Sequence, residues 1–266
     1  MSTPGERGAV DRGPERRGGR GGRGGRQRPP RRAVEVASVT KVTPHLTRIV
    51  ATGELDAWND GGPGAHLKVF LPQAGGGSVM RTYTVREFDR TEGRLTIDFG
   101  LHADGPMTRW ARTAAAGDRF SVAGEARPGY TPGAGVRWCL FFADHCALPA
   151  VSSVLESLPS GMEAIVFVEL TDAADVTEFR SAAEVSVAWL IESGRPGDEL
   201  VAAAGNTALP DGPGEVWIGC EAGAMRGIRR HVLGELGLPR EALHSRAYWK
   251  ENVENHSDHD TGSDEE

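Results

Sequence analysis

Two guanidiniums, a phenol ring and two hydroxyls fall within six consecutive residues, Arg81-Thr82-Tyr83-Thr84-Val85-Arg86. Alternation along a strand sends Arg81, Tyr83 and Val85 to one side and Thr82, Thr84 and Arg86 to the other. Such a strand can lay a ring and hydroxyls along a flat heteroaromatic ligand, while arginine, whose planar fork matches phosphate oxygens, reaches a diphosphate. A flavin nucleotide has both parts. A second stretch follows, Leu101-His102-Ala103-Asp104-Gly105-Pro106-Met107-Thr108-Arg109-Trp110-Ala111, in which a strand runs into Gly-Pro and then a helix-compatible segment. Proline at a first helical position, with unpaired N–H groups just after it, makes a ready anion site.

The elements that must hold these residues show two periods. From 34 onward come short β-branched runs at 34–39, 46–51, 66–71, 80–86, 95–101 and 119–123, punctuated by Gly, Asn and Asp. Six short strands at hairpin spacing predict a closed antiparallel barrel over 34–130, with a helix at 107–113 capping one end. A Pro/Gly-rich linker at 127–135 marks the domain boundary. Beyond it strands at 137–143, 163–170, 185–191 and 215–219 alternate with helices at 148–158 and 222–236, which predicts a parallel α/β domain over 137–250. Ligands of such sheets lie at the strand C-terminal ends, here 143–145 and 219–221. No Gly-x-Gly-x-x-Gly follows the first of these strands, so a pyridine nucleotide is held without that fingerprint.

Composition limits the remaining classes. A net charge of −7 hides an asymmetry: the first 32 residues hold ten Arg against three acids, leaving 20 basic and 34 acidic groups, a net −14, on the other 234. The arm, residues 1–33, is Gly, Arg and Pro almost throughout, cannot bury a core and is expected to be disordered. Its Arg-Gly-Gly repeats could attract RNA, although no aromatic residue is interleaved among the arginines. Residues 251–266 carry seven acids and two histidines, His256 and His259, and are also expected to be disordered. Cys139, Cys146 and Cys220 have no metal-ligand spacing, so no metal site is expected. With no apolar run of membrane-spanning length and no signal-type leader, a cytoplasmic protein is expected.

In their order and spacing the two opening stretches resemble the flavin-binding half of the siderophore-interacting proteins, flavin-dependent ferric-siderophore reductases of the ferredoxin-NADP reductase superfamily. Two further motifs extend the resemblance over 34–250: Trp217-Ile218-Gly219-Cys220-Glu221, similar to the family's Trp-x-Ala-Gly-Glu, and Tyr248-Trp249-Lys250 near the end. One motif departs, since Asp144-His145-Cys146-Ala147-Leu148-Pro149-Ala150 stands where the family has Asp-Glu-Thr-Ala-Leu-Pro-Ala. The resemblance implies FAD as cofactor, held by Arg81, Thr82, Tyr83, Thr84, His102, Asp104, Gly105, Met107 and Thr108. Tyr83 would pack on the isoalloxazine, Thr84 would hydrogen-bond near its redox-active edge, and Arg81 would meet phosphate. It implies a ferric siderophore as substrate, facing a positively lined bowl of Lys68, Arg127 and Lys250, the last brought back by the C-terminal helix and the Tyr248-Trp249 anchor. NADH, NADPH or a reduced ferredoxin would be the donor, with Cys220 near the nicotinamide. A generic NAD(P)H:flavin or ferredoxin-type oxidoreductase, and an RNA-binding protein acting through the arm, remain the alternatives.

Overall fold

The computed structural model describes residues 1, 31–101, 104–123, 125–254, 256 and 260–262. Residues 2–30, which hold the Arg-Gly-Gly repeats, lie outside that set, as do His102 and His259.

The first half is an antiparallel sheet in the order β4-β3-β7-β1-β2-β6-β5. Its strands are β1 (Arg32–Thr43), β2 (Leu46–Gly53), β3 (His66–Pro72), β4 (Ser78–Thr84), β5 (Glu87–Asp89), β6 (Arg94–Gly100) and β7 (Arg119–Val122). Six strands are expected from the sequence and seven are present, because the run at 80–86 bends. The Val85 amide donates to the Ala65 carbonyl and the Arg86 amide to the Thr96 carbonyl, so consecutive residues bond to opposite ends of the sheet. β4 and β5 are thus the two edges of one curled sheet, joined by Val85 and Arg86 alone. Inside it Ile49, Leu67, Val69, Leu95, Ile97 and Phe99 are buried together. Helix α1 (Pro106–Thr113) is anchored on this core by Trp110, which meets Phe99 and Phe120 edge-on.

The second half is a fully parallel sheet in the order β10-β9-β8-β11-β12. Its strands are β8 (Trp138–Asp144), β9 (Glu163–Leu170), β10 (Glu184–Ile191), β11 (Gly214–Glu221) and β12 (Leu243–Trp249). Alternation splits its core in two. Cys139, Phe141 and Ala143 of β8 pack under helix α2 (Leu148–Ser157), whereas Leu140 and Phe142 pack on the other face with helices α3 (Asp198–Gly205) and α4 (Ala222–Gly234). Three elements, α3, β5 and β12, carry no clear sequence signal. β12 is an edge strand that fully buries only Ala247, so it lacks the apolar alternation of its neighbours. A strand, not a helix, therefore brings Tyr248 to Lys250 back toward the barrel.

Contacts across the boundary join the halves. Leu46 of β2 packs into the α2-side core. Arg86 makes a two-pronged ion pair with Glu156 of α2 at 2.7 and 2.6 Å. Asp175 accepts from the Thr43 hydroxyl at 2.6 Å, the His45 amide at 3.0 Å and the His45 ring at 2.9 Å. Burial alone would push the Asp175 carboxyl up; the hydrogen bonds from Thr43 and His45 outweigh it and hold its pKa below the ordinary value. A depressed carboxylate stabilises the fold above its unfolded pKa of about 4 and loses that contribution as pH falls through the lower folded value. Asp175→Ala is expected to cost about 1–3 kcal/mol at neutral pH, measured by urea unfolding, and to cost progressively less below pH about 4.

Candidate functional site

The strand that opens the sequence reading forms the floor of a pocket of about 570 Å³ between the two domains. Arg81, Thr82, Tyr83 and Thr84 line it together, since near the end of β4 both sides of the strand reach the cavity. The Tyr83 ring is held against Phe99 with centroids 4.3 Å apart, and burial pushes its phenol well above the ordinary value. Arg86 does not join Arg81 here. Its guanidinium is spent on Glu156, with Asp98 3.9 Å away, so one of the two arginines in the motif serves the domain joint.

On the adjoining wall are Asp104, Gly105, Pro106, Met107 and Thr108, where α1 begins. Gly105 precedes the helix in extended conformation, Pro106 sits in its first turn, and no side chain caps its amides. Backbone N–H groups and a guanidinium thus converge on one cavity whose floor carries an aromatic ring. This donor set fits a flavin dinucleotide.

The α/β domain closes the pocket from above with its strand ends. His145, Cys146 and Pro149 come from the turn after β8, Glu192 from the end of β10, and Arg246 to Lys250 from β12 and the residue after it. The Trp249 indole donates to Asp144 Oδ2 at 2.7 Å, and the Cys146 amide donates to Asp144 Oδ1 at 2.9 Å. Burial pushes the Asp144 carboxyl up to about 6, despite those donors. His145 is pushed down to about 4 by burial, so its ring is neutral at pH 7. Tyr248 and Thr84 face the same cavity, and the Arg246 guanidinium approaches the His66 ring to 2.7 Å.

The other expected site residues divide. Lys250 lines the pocket; Lys68 stands just outside, its ammonium 3.0 Å from the Thr82 hydroxyl, and Arg127 is exposed, its backbone bridged to His66. Cys220 is buried in the core between β11 and α4, and burial raises its thiol well above the ordinary value. His145 falls in the expected strand end at 143–145, whereas the sequence reading misses Arg246 and Glu192. Had 243–249 been read as a strand, alternation would have set Arg246 on the face of Tyr248. It also misses that the acidic tail approaches this site. Val253, Glu254 and His256 line the pocket, with Glu254 2.8 Å from Arg81, and Asp260 pairs with Arg226 at 2.7 Å.

An antiparallel flavin barrel followed by a parallel α/β domain, with a shared cavity between them, defines a two-domain FAD-dependent oxidoreductase. The siderophore-interacting protein profile matches residues 136–252, and the siderophore-interacting FAD-binding domain profile matches residues 75–128. A siderophore utilization protein from T. fusca is similar over 86% of this chain and 96% of its own, with 33% identity and a TM-score of 0.78. The siderophore-interacting protein SipS from Aeromonas hydrophila shares 30% identity over 84% of this chain and 93% of its own, with a TM-score of 0.75. Ferric vibriobactin reductase ViuB from Vibrio cholerae is 26% identical over 79% of this chain and 85% of its own. The chain belongs to the siderophore-interacting protein family.

The raised Asp144 pKa has a consequence for stability. Between its unfolded value of about 4 and its folded value of about 6 the native state binds the extra proton, so this group makes stability fall as pH rises through that window. Asp144→Asn keeps an acceptor for Trp249 and removes the titration. Urea unfolding at pH 4 to 7 is expected to show a shallower decline for the variant than for the natural chain.

Proposed function

We propose that this protein reduces the iron of a ferric siderophore from Fe(III) to Fe(II), using FAD held on β4 and at the start of α1. The observation that carries the reading is the shared pocket: Arg81, Tyr83 and Thr84 on its floor, the uncapped amides of α1 on one wall, and Tyr248 to Lys250 above. Bound FAD supplies one-electron transfer to an outside acceptor from a carrier that stores two electrons. A hard oxygen-donor chelator holds Fe(II) far less tightly than Fe(III), so one electron releases the metal.

The chain's own residues bind and orient. Arg81 and the α1 amides hold the diphosphate, with Thr82, Asp104, Gly105, Met107 and Thr108 around it, and His102, which lies outside the described residues, is assigned to the diphosphate or the adenine. Tyr83, fixed by Phe99, packs on the ring system. Thr84, in the same lining as Tyr248, presents its hydroxyl near the redox-active edge. Lys250 faces the substrate, with Lys68 beside Thr82 and the exposed Arg127 as a further cation. The electrons come from NADH, NADPH or a reduced ferredoxin approaching the strand ends of the parallel sheet, where His145 and Cys146 meet the pocket. Cytoplasmic action follows from those donors; no helix among the described residues is long and apolar enough to cross a membrane.

Two measurements test this. Arg81→Ala removes a charge-assisted contact worth about 1.5–3 kcal/mol, so FAD affinity is expected to fall roughly tenfold or more in equilibrium dialysis. An unchanged affinity would displace Arg81 from the diphosphate. With FAD bound, NADH, NADPH and reduced ferredoxin are each supplied anaerobically, and Fe(II) from a ferric siderophore is followed with a ferrous-specific chromophore. At least one donor is expected to sustain turnover. Failure of all three while ferricyanide is still reduced would leave a flavin reductase with a different acceptor.

A further inference from the structure

The charges around the pocket define what kind of ferric chelate it accepts. Among the described lining residues the carboxylates are Asp98, Asp104, Glu192 and Glu254, and the fixed cations are Arg81, Arg246 and Lys250. Most of these are already engaged. Both Asp98 oxygens accept from Arg48, at 2.7 and 2.8 Å, and Asp104 pairs with Arg109 at 3.2 Å. Glu254 sits 2.8 Å from Arg81, so whatever part of that charge a flavin diphosphate leaves is met by the protein's own carboxylate. Arg246 and Lys250 then stand against Glu192, and a bound diphosphate adds about two negative charges to the same cavity. His145 adds none at neutral pH, since burial holds its ring in the neutral form. Lys68 and Arg127 lie outside the lining, and residues 33–250, with 20 basic and 27 acidic groups, carry a net −7.

Resting on the reductase reading above, we propose that the substrate is a ferric hydroxamate-type chelate, uncharged or cationic, and not a polyanionic ferric catecholate. Three singly charged hydroxamates cancel the ferric charge, whereas three doubly charged catecholates leave a trianion. The trianion needs a surplus of cations that this cavity lacks, and the acidic body repels its approach. The uncharged chelate needs no such surplus. Its organic shell can use the apolar lining contributed by Leu46, Met107, Pro149, Pro196, Trp249 and Val253. Glu254 is the residue that sets the selectivity, because it adds a carboxylate to a cavity whose nearest guanidinium, Arg81, is already committed to the diphosphate.

Affinity is measured apart from reducibility by using gallium(III), which matches ferric ion in charge and size but accepts no electron. The FAD-loaded full-length protein is titrated, through its flavin fluorescence, with the gallium complexes of a linear trihydroxamate (desferrioxamine) and of a tripodal tris-catecholamide. At low salt the trihydroxamate is expected to bind at least about tenfold more tightly. The gap is expected to narrow as salt screens the repulsion, and to narrow again in Glu254→Lys, whose flavin spectrum reports intact folding. Equal affinities, or tighter catecholate binding by the natural chain, overturn the charge assignment and leave the reductase reading standing. Binding of neither complex, together with no reduction of either ferric form, overturns both.

Discussion

The hydrogen bond from the Trp249 indole to Asp144 is the contact on which the site depends. In the sheet order β11 lies between β8, which ends at Asp144, and β12, which ends at Trp249, so this bond spans a strand and fixes two ends against each other. Once they are fixed, Tyr248 faces the cavity that Thr84 lines and Arg246 meets His66 on the barrel. The same carboxylate accepts from the Cys146 amide and shapes the turn into α2. The arrangement buries an acid, which is why its pKa climbs to about 6. A buried carboxyl without its donors would be far more costly.

Charge in this protein is mostly consumed by structure. The Arg48–Asp98 pair braces the barrel beside the pocket, Arg86–Glu156 joins barrel to α2, and Arg226–Asp260 holds a described part of the acidic tail against α4. Each pairing removes a cation that composition alone would have offered to an anionic ligand. What remains facing the cavity is a small and nearly balanced set. Function at this site therefore rests on shape, ring stacking and a few directed donors more than on a cationic field.

Much of this was legible in the sequence. The change from period two to strand-helix alternation, the linker and the Arg-Thr-Tyr-Thr strand give both domains and the pocket floor, because these features rest on local geometry. The ceiling was less legible for physical reasons. β12 is an edge strand whose half-buried polar residues carry no apolar rhythm, so Arg246 went unnoticed and a helix was expected to return Lys250. Arg86 and Lys68 fit a ligand-facing pattern as residue types, but their actual partners, Glu156 and Thr82, are 70 and 14 positions away in the chain. The acidic tail was read from composition as lacking a fixed pose. Its described residues nevertheless meet Arg81 and Arg226, contacts that net charge cannot reveal.

The central claim is that a flavin in this pocket passes electrons singly to a chelated ferric ion. It is tested most directly without any donor protein or nucleotide. The FAD-loaded protein is photoreduced under argon and mixed with excess ferric trihydroxamate and a ferrous-specific chromophore, and the flavin and ferrous absorbances are followed together. The account requires the oxidised flavin spectrum to return as about two ferrous ions appear per flavin, since FAD stores two electrons and each iron takes one. A flavin that stays reduced until air is admitted, with no ferrous signal, would contradict it.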